Sequence, residues 1–345
     1  MNTEATMQHI EIEISNPCNE HCIHCYRVCE EIKRGFLSAK QAKNVLEQAK
    51  ALGATATTIT GGEALLNSEW HEIVKIADEL GFRISFFSNG SLIKKKDAEF
   101  FKTIRNLKEF QLSLYALDDK IHDSITGLKG SCAKTKNAIQ LLREHNIPLF
   151  VSCPAMKENK TAVLDVMRWC DDEGIPSSAD IFIFGDSAYT NKNLVHRLSW
   201  EDLQDFYEET MKDGGRLSYV WGNGYGKRDL HEIEFYGGAA HSICVSGDGT
   251  IYPAIGWYES LGNITTDSIV GVFLNHPLLK KLRGIKASDI AECEKCNCAD
   301  FCGFCFSPHI TANHGELYKV DGEWCKFVAL RKKLAASRDV LLNIN

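Results

Sequence analysis

Three cysteines, Cys18, Cys22 and Cys25, stand at C-x3-C-x2-C spacing directly after an alternating run, residues 9–15 (His-Ile-Glu-Ile-Glu-Ile-Ser). The loop is short, so three thiolates can converge on one centre. Three sulfurs are one fewer than a closed tetrahedral zinc site or an ordinary four-cysteine iron–sulfur cluster uses. The residue types leave two closures open. His21 or His24 supplies a fourth ligand to zinc, or one position stays free for a ligand that reacts. A second set, Cys293, Cys296, Cys298, Cys302 and Cys305, with Cys325 beyond it, lies near the other end of the chain.

The 345 residues hold 14 cysteines. The N-terminus lacks the basic and apolar regions of a signal peptide, and no apolar run approaches the ~18 residues of a membrane span. A cytoplasmic location is therefore expected, where clustered cysteines are metal ligands rather than disulfides. Cys132, Cys153 and Cys170 are scattered and read as small buried hydrophobes. A net charge of −7 argues against nucleic acid or an acidic membrane surface as partner.

The elements that must position these residues alternate regularly. Strands are expected at 9–15, 57–60, 83–88, 109–115, 148–153 and 180–184. Helices are expected at 38–51, 69–80, 95–105, 132–145 and 161–173, with Ser38 as an N-cap. Such alternation implies parallel strands joined by right-handed crossovers. The expected fold is α/β, a partial (β/α)6 TIM-like barrel at residues 8–187. A bridging segment (188–239), a small Cys-rich α+β domain (240–330) and a C-terminal helix or tail (331–345) follow. Chemically capable residues recur where the strands end, the rim at which such barrels bind ligands: the cysteine loop, Gly61-Gly62-Glu63, Ser88-Asn89, Ser113 and Tyr115, Ser152 and Asn159, and Gly185-Asp186.

This combination resembles the radical S-adenosylmethionine (SAM) superfamily. The resemblance implies a [4Fe–4S] cluster held by Cys18, Cys22 and Cys25, with SAM on the fourth iron. It implies SAM contacts at Gly61, Gly62, Glu63 and Ser113, with His24 or Tyr26 near the adenine. Ser88, Asn89, Tyr115, Ser152, Asn159 and Gly185 complete the expected SAM rim. In this picture the two glycines let the backbone approach the methionine end of SAM. Residues 109–145 are similar to the subgroup that modifies peptides and proteins. An arginine common there near Thr126 is absent, with Lys129 as a substitute. His122 and Asp123 are expected to cap a loop rather than to react.

Between the two cysteine sets, residues 200–213 read as a helix capped by Ser199. The aromatics Tyr219, Trp221, Tyr225, Phe235 and Tyr236 that follow read either as a substrate-holding bridge or as inter-domain packing. A Gly247-Asp248-Gly249 turn after Cys244 is expected to join two short strands. Residues 240–330 resemble SPASM/twitch domains, which implies at least one auxiliary [4Fe–4S] cluster on Cys293, Cys296, Cys302 and Cys325. Cys244, Cys298 and Cys305 are alternative ligands or free thiols, and a zinc ribbon is the other option. Ala254 stands where two-cluster members carry a cysteine, and Ile255 where sulfatase-maturing members carry an aspartate, which counts against sulfatase maturation.

The function so implied is a radical SAM peptide maturase. It forms a 5′-deoxyadenosyl radical and takes hydrogen from a peptide or protein residue, for cross-linking, epimerisation or backbone excision such as tyramine removal. Expected partners are that substrate, a reductant of flavodoxin or ferredoxin type and, since the chain starts almost at its first strand, a separate leader-binding protein. A radical SAM enzyme of a small molecule and a non-enzymatic metal-binding protein are the alternatives.

Overall fold

Short β-branched runs, each followed by a segment of helical period, set the order of elements. The structure is a computed structural model and describes residues 5–27, 35–212, 217, 240–303 and 306–342. Cys29, Cys305 and the aromatics Tyr219–Tyr236 lie outside the described residues. The strands are β1 (His9–Ser15), β2 (Ala56–Gly61), β3 (Arg83–Ser88), β4 (Leu107–Ser113), β5 (Leu149–Ser152) and β6 (Ser177–Ser178). Between them run α1 (Ala39–Ala51), α2 (Trp70–Glu79), α3 (Lys95–Phe101), α4 (Asp119–Thr126), α5 (Ser131–Glu144) and α6 (Ala162–Asp172). The hydroxyl of Ser38 accepts from Gln41 N–H while the Gln41 side chain accepts from Ser38 N–H, a reciprocal cap that starts α1 where the sequence places it.

After α7 (Trp200–Met211) come β7 (Ser242–Val245), β8 (Thr250–Tyr252) and β9 (Gly262–Asn263). All nine strands form one mixed sheet in the order β6-β5-β4-β3-β2-β1-β7-β8-β9. The first six are parallel, and β7 continues that direction on the free side of β1. β8 and β9 return antiparallel through the expected Gly-Asp-Gly turn. Among the described residues β6 and β9 are unpaired edges, so the barrel is open. Ile10, Ile12 and Ile14 are fully buried on one face of β1, which turns His9, Glu11 and Glu13 to the other. Trp70, Phe86, Phe101 and Phe110 pack edge-on and stacked beneath β3 and β4.

Three elements differ from expectation. The strand at 180–184 is instead the two-residue β6. Cys153 and Ala155 still continue the hydrogen bonding beyond it by donating to the Ser178 and Asp180 carbonyls. Residues 119–126, read as loop, form α4: Asp118 caps it by accepting from Lys120 and Ile121 N–H, and Gly127 ends it at φ 67°. The C-terminal helix begins at Gly322 and runs to Leu342, so Cys325 sits in its first turn. Among the described residues no helix is long and apolar enough to cross a membrane.

Candidate active site

β1 delivers the chain to the cysteine loop through Asn16 and Pro17, and the end of β2 fixes that entrance. Gly62 N–H donates to the Ser15 carbonyl at 2.6 Å and Glu63 N–H to that of Pro17 at 2.9 Å. A Cβ on Gly61 would stand 2.3 Å from the Ser15 carbonyl oxygen, and one on Gly62 2.4 Å from that of Pro17. On this face the glycines make room for the loop's own backbone, where a ligand had been expected. The far side of the loop leans on α4: His21 and Ile23 N–H donate to Thr126 and Ile125 carbonyls.

Cys18, Cys22 and Cys25 are half-buried. The N–H groups of Glu20 and Arg27 point at Cys18 Sγ and Cys25 Sγ, each at 3.4 Å. Burial pushes the Cys18 thiol up to about 12, with the charges of Glu63, Cys25 and Glu20 adding to it. Cys22 is driven well above the ordinary thiol range by burial and then by Glu20, Cys25 and Cys18. The three sulfurs thus lie within electrostatic reach of one another. Mutually repelling thiolates are what a bound cationic iron centre would relieve, and N–H groups aimed at sulfur suit an anionic cluster. The donor set fits the three-cysteine cluster on these grounds. Among the described residues no group of three His, Cys, Asp or Glu side chains is arranged to hold a single metal ion.

Glu63 is buried and held on three sides. Its Oε1 accepts from Leu65 N–H at 3.0 Å and Ser88 Oγ at 2.9 Å, and its Oε2 accepts from Asn89 N–H at 2.8 Å. A carboxylate has about four acceptor positions, so Oε2 retains one. Asn89 ties β3 to the cysteine loop by donating to Asn19 Oδ1 at 3.0 Å. The hydroxyl of Tyr115 lies 3.9 Å from Cys22 Sγ and hydrogen-bonds with Ser113. The ring of His24 meets that of Tyr115 edge-on at 5.0 Å, and burial pulls the imidazole down to about 4. Tyr26 follows the third cysteine, and its carbonyl accepts from Ser187 N–H at 2.7 Å.

Three other rim residues turn to internal partners. Ser152 Oγ donates to Asp180. Asn159 gives both amide hydrogens to the Tyr115 and Pro154 carbonyls and accepts from Met156 N–H. Gly185 packs against the backbone of Thr311 and Ala312. These contacts tie the ends of β5 and the segments that follow it to their neighbours. His122 accepts from Tyr115 N–H, and Asp123 accepts from Gly130, Ser131 and Cys132 at the start of α5, the capping role expected. Lys129 is exposed.

At the other end, Cys293 and Cys325 lie within electrostatic reach of each other and of Cys296 and Cys302. Burial pushes Cys293 up to about 12, followed by the charges of Cys325, Cys302 and Cys296. Cys325 is also pushed to about 12, by burial and then by Cys302 and Cys296. Cys298 stands beside them with its N–H on Cys296 Sγ, while its own thiol donates to Asn297. Cys244 lies elsewhere: it sits on β7 opposite Glu11, buried near Glu13, Glu11 and Arg27.

Sequence reasoning missed the ion pair behind the cysteine loop. Arg27 Nη1 meets Glu13 Oε1 at 2.6 Å with both side chains buried. Tyr258 donates to the same oxygen at 2.8 Å. Arg27 also reaches Asn16, whose Oδ1 accepts from Gly247 N–H at the β7–β8 turn. Alternation of Glu with Ile in β1 reads as a solvated face, so no local signal marks this network.

Residues 12–170 match the family model of the Radical SAM superfamily. This segment is a radical SAM domain. The chain is 28% identical over 321 residues to the antilisterial bacteriocin subtilosin biosynthesis protein AlbA of Bacillus subtilis (strain 168), covering 88% of this chain and 68% of AlbA. It is 31% identical over 163 residues to the sporulation killing factor maturation protein SkfB of the same organism, covering 47% of this chain and 39% of SkfB. Among solved structures, native anSMEcpe with bound AdoMet superposes with a TM-score of 0.72 at 17% identity, covering 98% of this chain and 100% of that one. Streptococcus suis SuiB bound to precursor peptide SuiA gives 0.71 at 18% identity, covering 92% and 75%. The fold is therefore that of a partial radical SAM barrel with a SPASM/twitch-like C-terminal region.

Proposed function

We propose that this chain is a radical SAM maturase that modifies a residue of a ribosomally made peptide or protein. The observation that carries this is the match of residues 12–170 to the Radical SAM family, with Cys18, Cys22 and Cys25 in the loop that leaves β1 beside the end of β2. The peptide class is supported by relatives named for bacteriocin biosynthesis and killing-factor maturation and by a similar fold solved with a precursor peptide.

Cys18, Cys22 and Cys25 would hold a [4Fe–4S] cluster that, with SAM, supplies hydrogen-atom abstraction by a 5′-deoxyadenosyl radical. Glu63 presents its open Oε2 position to the methionyl end, fixed by Ser88 and Asn89. The rings of Tyr115 and His24 close the loop against water. Cys293, Cys296, Cys302 and Cys325 would hold an auxiliary cluster as an electron acceptor, which favours an oxidative outcome such as a cross-link over a redox-neutral one. A flavodoxin- or ferredoxin-type reductant and a cytoplasmic location, where thiols stay reduced, belong to the same proposal.

The test is anaerobic turnover with dithionite, SAM and a candidate precursor peptide. The expected result is 5′-deoxyadenosine together with a peptide that has lost two hydrogens. A peptide unchanged in mass in ordinary water that takes up deuterium when the reaction runs in heavy water would identify epimerisation, and a shortened one excision. Release of 5′-deoxyadenosine without any change in precursor peptides, but with oxidation of a small alcohol or sugar, would overturn the peptide assignment.

A further inference from the structure

The cysteine loop reaches the surface at His21, which is exposed between the half-buried Cys18 and Cys22. Two turns flank this edge. On one side Asn19 donates to Ser91 Oγ at 2.8 Å, in the turn that leads from β3 into α3. On the other, His21 N–H donates to the Thr126 carbonyl at 2.8 Å. A Cβ on Gly127, between α4 and α5, would stand 3.2 Å from the His21 carbonyl oxygen. Thr135 of α5 joins the two sides by donating to the Asn89 carbonyl at 2.8 Å.

Both sides carry lysine. Lys94 precedes α3 and Lys96 lies in its first turn, while Lys134 lies in the first turn of α5. All three are exposed, and none is in an ion pair among the described residues. The carboxylates nearby are already engaged. Asp97 accepts from Lys94 N–H, Glu99 pairs with Lys95 at 3.9 Å, and Asp119 pairs with Lys136 at 3.1 Å. Asp123 caps α5 by accepting from Ser131 and Cys132. A local excess of positive charge therefore frames the exposed edge of the loop, on a chain whose net charge is −7.

Lasting complexes rest on buried apolar anchors. The exposed large hydrophobics of the described residues, Phe36, Phe184, Val195, Trp200 and Tyr318, all lie outside these two turns. Charge without apolar anchors favours fast, weak and salt-sensitive encounters, the kind that electron-transfer proteins make.

We propose that Lys94, Lys96 and Lys134 form the docking surface for the reductant, a small acidic electron-transfer protein steered onto the His21 edge of the cysteine loop. This rests on the assignment of a cluster to Cys18, Cys22 and Cys25. The step it serves moves one electron: the reduced carrier is oxidised, the oxidised cluster is reduced, and no bond forms or breaks.

The probe is an acidic flavodoxin with the reconstituted full chain. Changing Lys94, Lys96 and Lys134 together to Glu is expected to slow oxidation of flavodoxin hydroquinone, followed by stopped flow, by about tenfold or more at low salt. The gap should close at about 1 M salt, where charges are screened beyond about 3 Å. Binding of oxidised flavodoxin, measured by titration calorimetry at low salt, should weaken in parallel. Iron content and the electron paramagnetic resonance signal reached with excess dithionite should match wild type. The control changes Lys50, Lys102 and Lys108 to Glu; they are exposed at the opposite rim, and transfer should stay within about threefold of wild type, the residue of a purely net-charge effect. Equal slowing by both variants, no slowing by the first, or slowing that persists at high salt overturns the proposal. Weakened binding of a precursor peptide with flavodoxin transfer unchanged overturns it too, and gives the patch to the substrate. Should the glutamate variant take up less iron, the same three lysines changed to Gln give the comparison, and unslowed transfer there overturns it equally. Unslowed flavodoxin transfer beside intact dithionite-driven peptide modification would sink this inference alone. Lysine-dependent transfer with no peptide product would sink the peptide-modifying function alone.

Discussion

Removing the guanidinium of Arg27 should destabilise the protein far more than removing it together with its partner. Arg27 and Glu13 meet at 2.6 Å with side chains 3% and 0% exposed. At an effective dielectric of ~20, charges that close attract by about 6 kcal/mol. Taking both ions out of water costs several kcal/mol each, so the intact pair contributes little net stability. A lone Glu13 keeps its desolvation penalty and retains only the Tyr258 hydroxyl at 2.8 Å. Arg27→Met is therefore expected to cost about 3–5 kcal/mol. Glu13→Gln alone should cost a similar amount, since it removes the charge that compensates the guanidinium and leaves it to neutral partners such as Asn16, while its amide oxygen still accepts from Tyr258. The double variant should lie well above the sum and closer to wild type than Arg27→Met. Anaerobic urea unfolding, read as a midpoint shift at constant slope, gives all three values. Additive losses, or an Arg27→Met loss under ~1 kcal/mol, would refute the picture of a mutually compensated buried pair.

Gly62→Ala should displace the cysteine loop, because its Cβ would stand 2.4 Å from the Pro17 carbonyl oxygen; reconstituted iron should fall by about four per chain while the C-terminal set still fills. Cys293→Ala should likewise remove about four irons, this time leaving SAM binding intact. His309 accepts from Asp321 N–H at 2.9 Å, and burial, with Arg197 nearby, holds its pKa down at about 3 against an ordinary 6.5. The folded protein keeps this imidazole neutral, and below pH ~6.5 only the unfolded chain gains the proton. Stability present above that pH should thus fall as pH drops towards the folded value, by up to about 1.4 kcal/mol per unit. His309→Asn should flatten that slope in unfolding measured from pH 7 to pH 4.

Much of the barrel was legible because its signals are local. The Thr-Thr-Ile-Thr run of β2, the Ser38–Gln41 cap and the cysteine spacing each act within a few residues. The Asp118 cap and the Gly127 stop were equally local, yet the helix between them is too short to show a period. What stayed hidden is long-range. Nothing in Ser242–Val245 announces that it pairs with β1, some 230 residues earlier in the chain, or that the segment after β8 reaches Glu11 and Glu13 through Ile255 N–H and the Tyr258 hydroxyl. Ser152, Asn159 and Gly185 share the type and position of ligand-binding residues. Their internal partners, Asp180, the Tyr115 carbonyl and the Thr311–Ala312 backbone, carry no local signal. The glycines before Glu63 were marked as places of close approach, but what approaches is the backbone of Ser15–Pro17.

The position of β1 has a bearing on how long a bound cluster would survive in air or chelator. It is an interior strand, flanked by β2 and β7 and far from both free edges. Fraying begins at edges and termini, so the backbone that anchors the cysteine loop lies among the last to open. Loss of the cluster through fraying of its anchoring strand would then wait on global unfolding rather than on local breathing, and the Arg27–Glu13–Tyr258 network at its C-terminal end would act as a clasp on the lifetime of the metal centre.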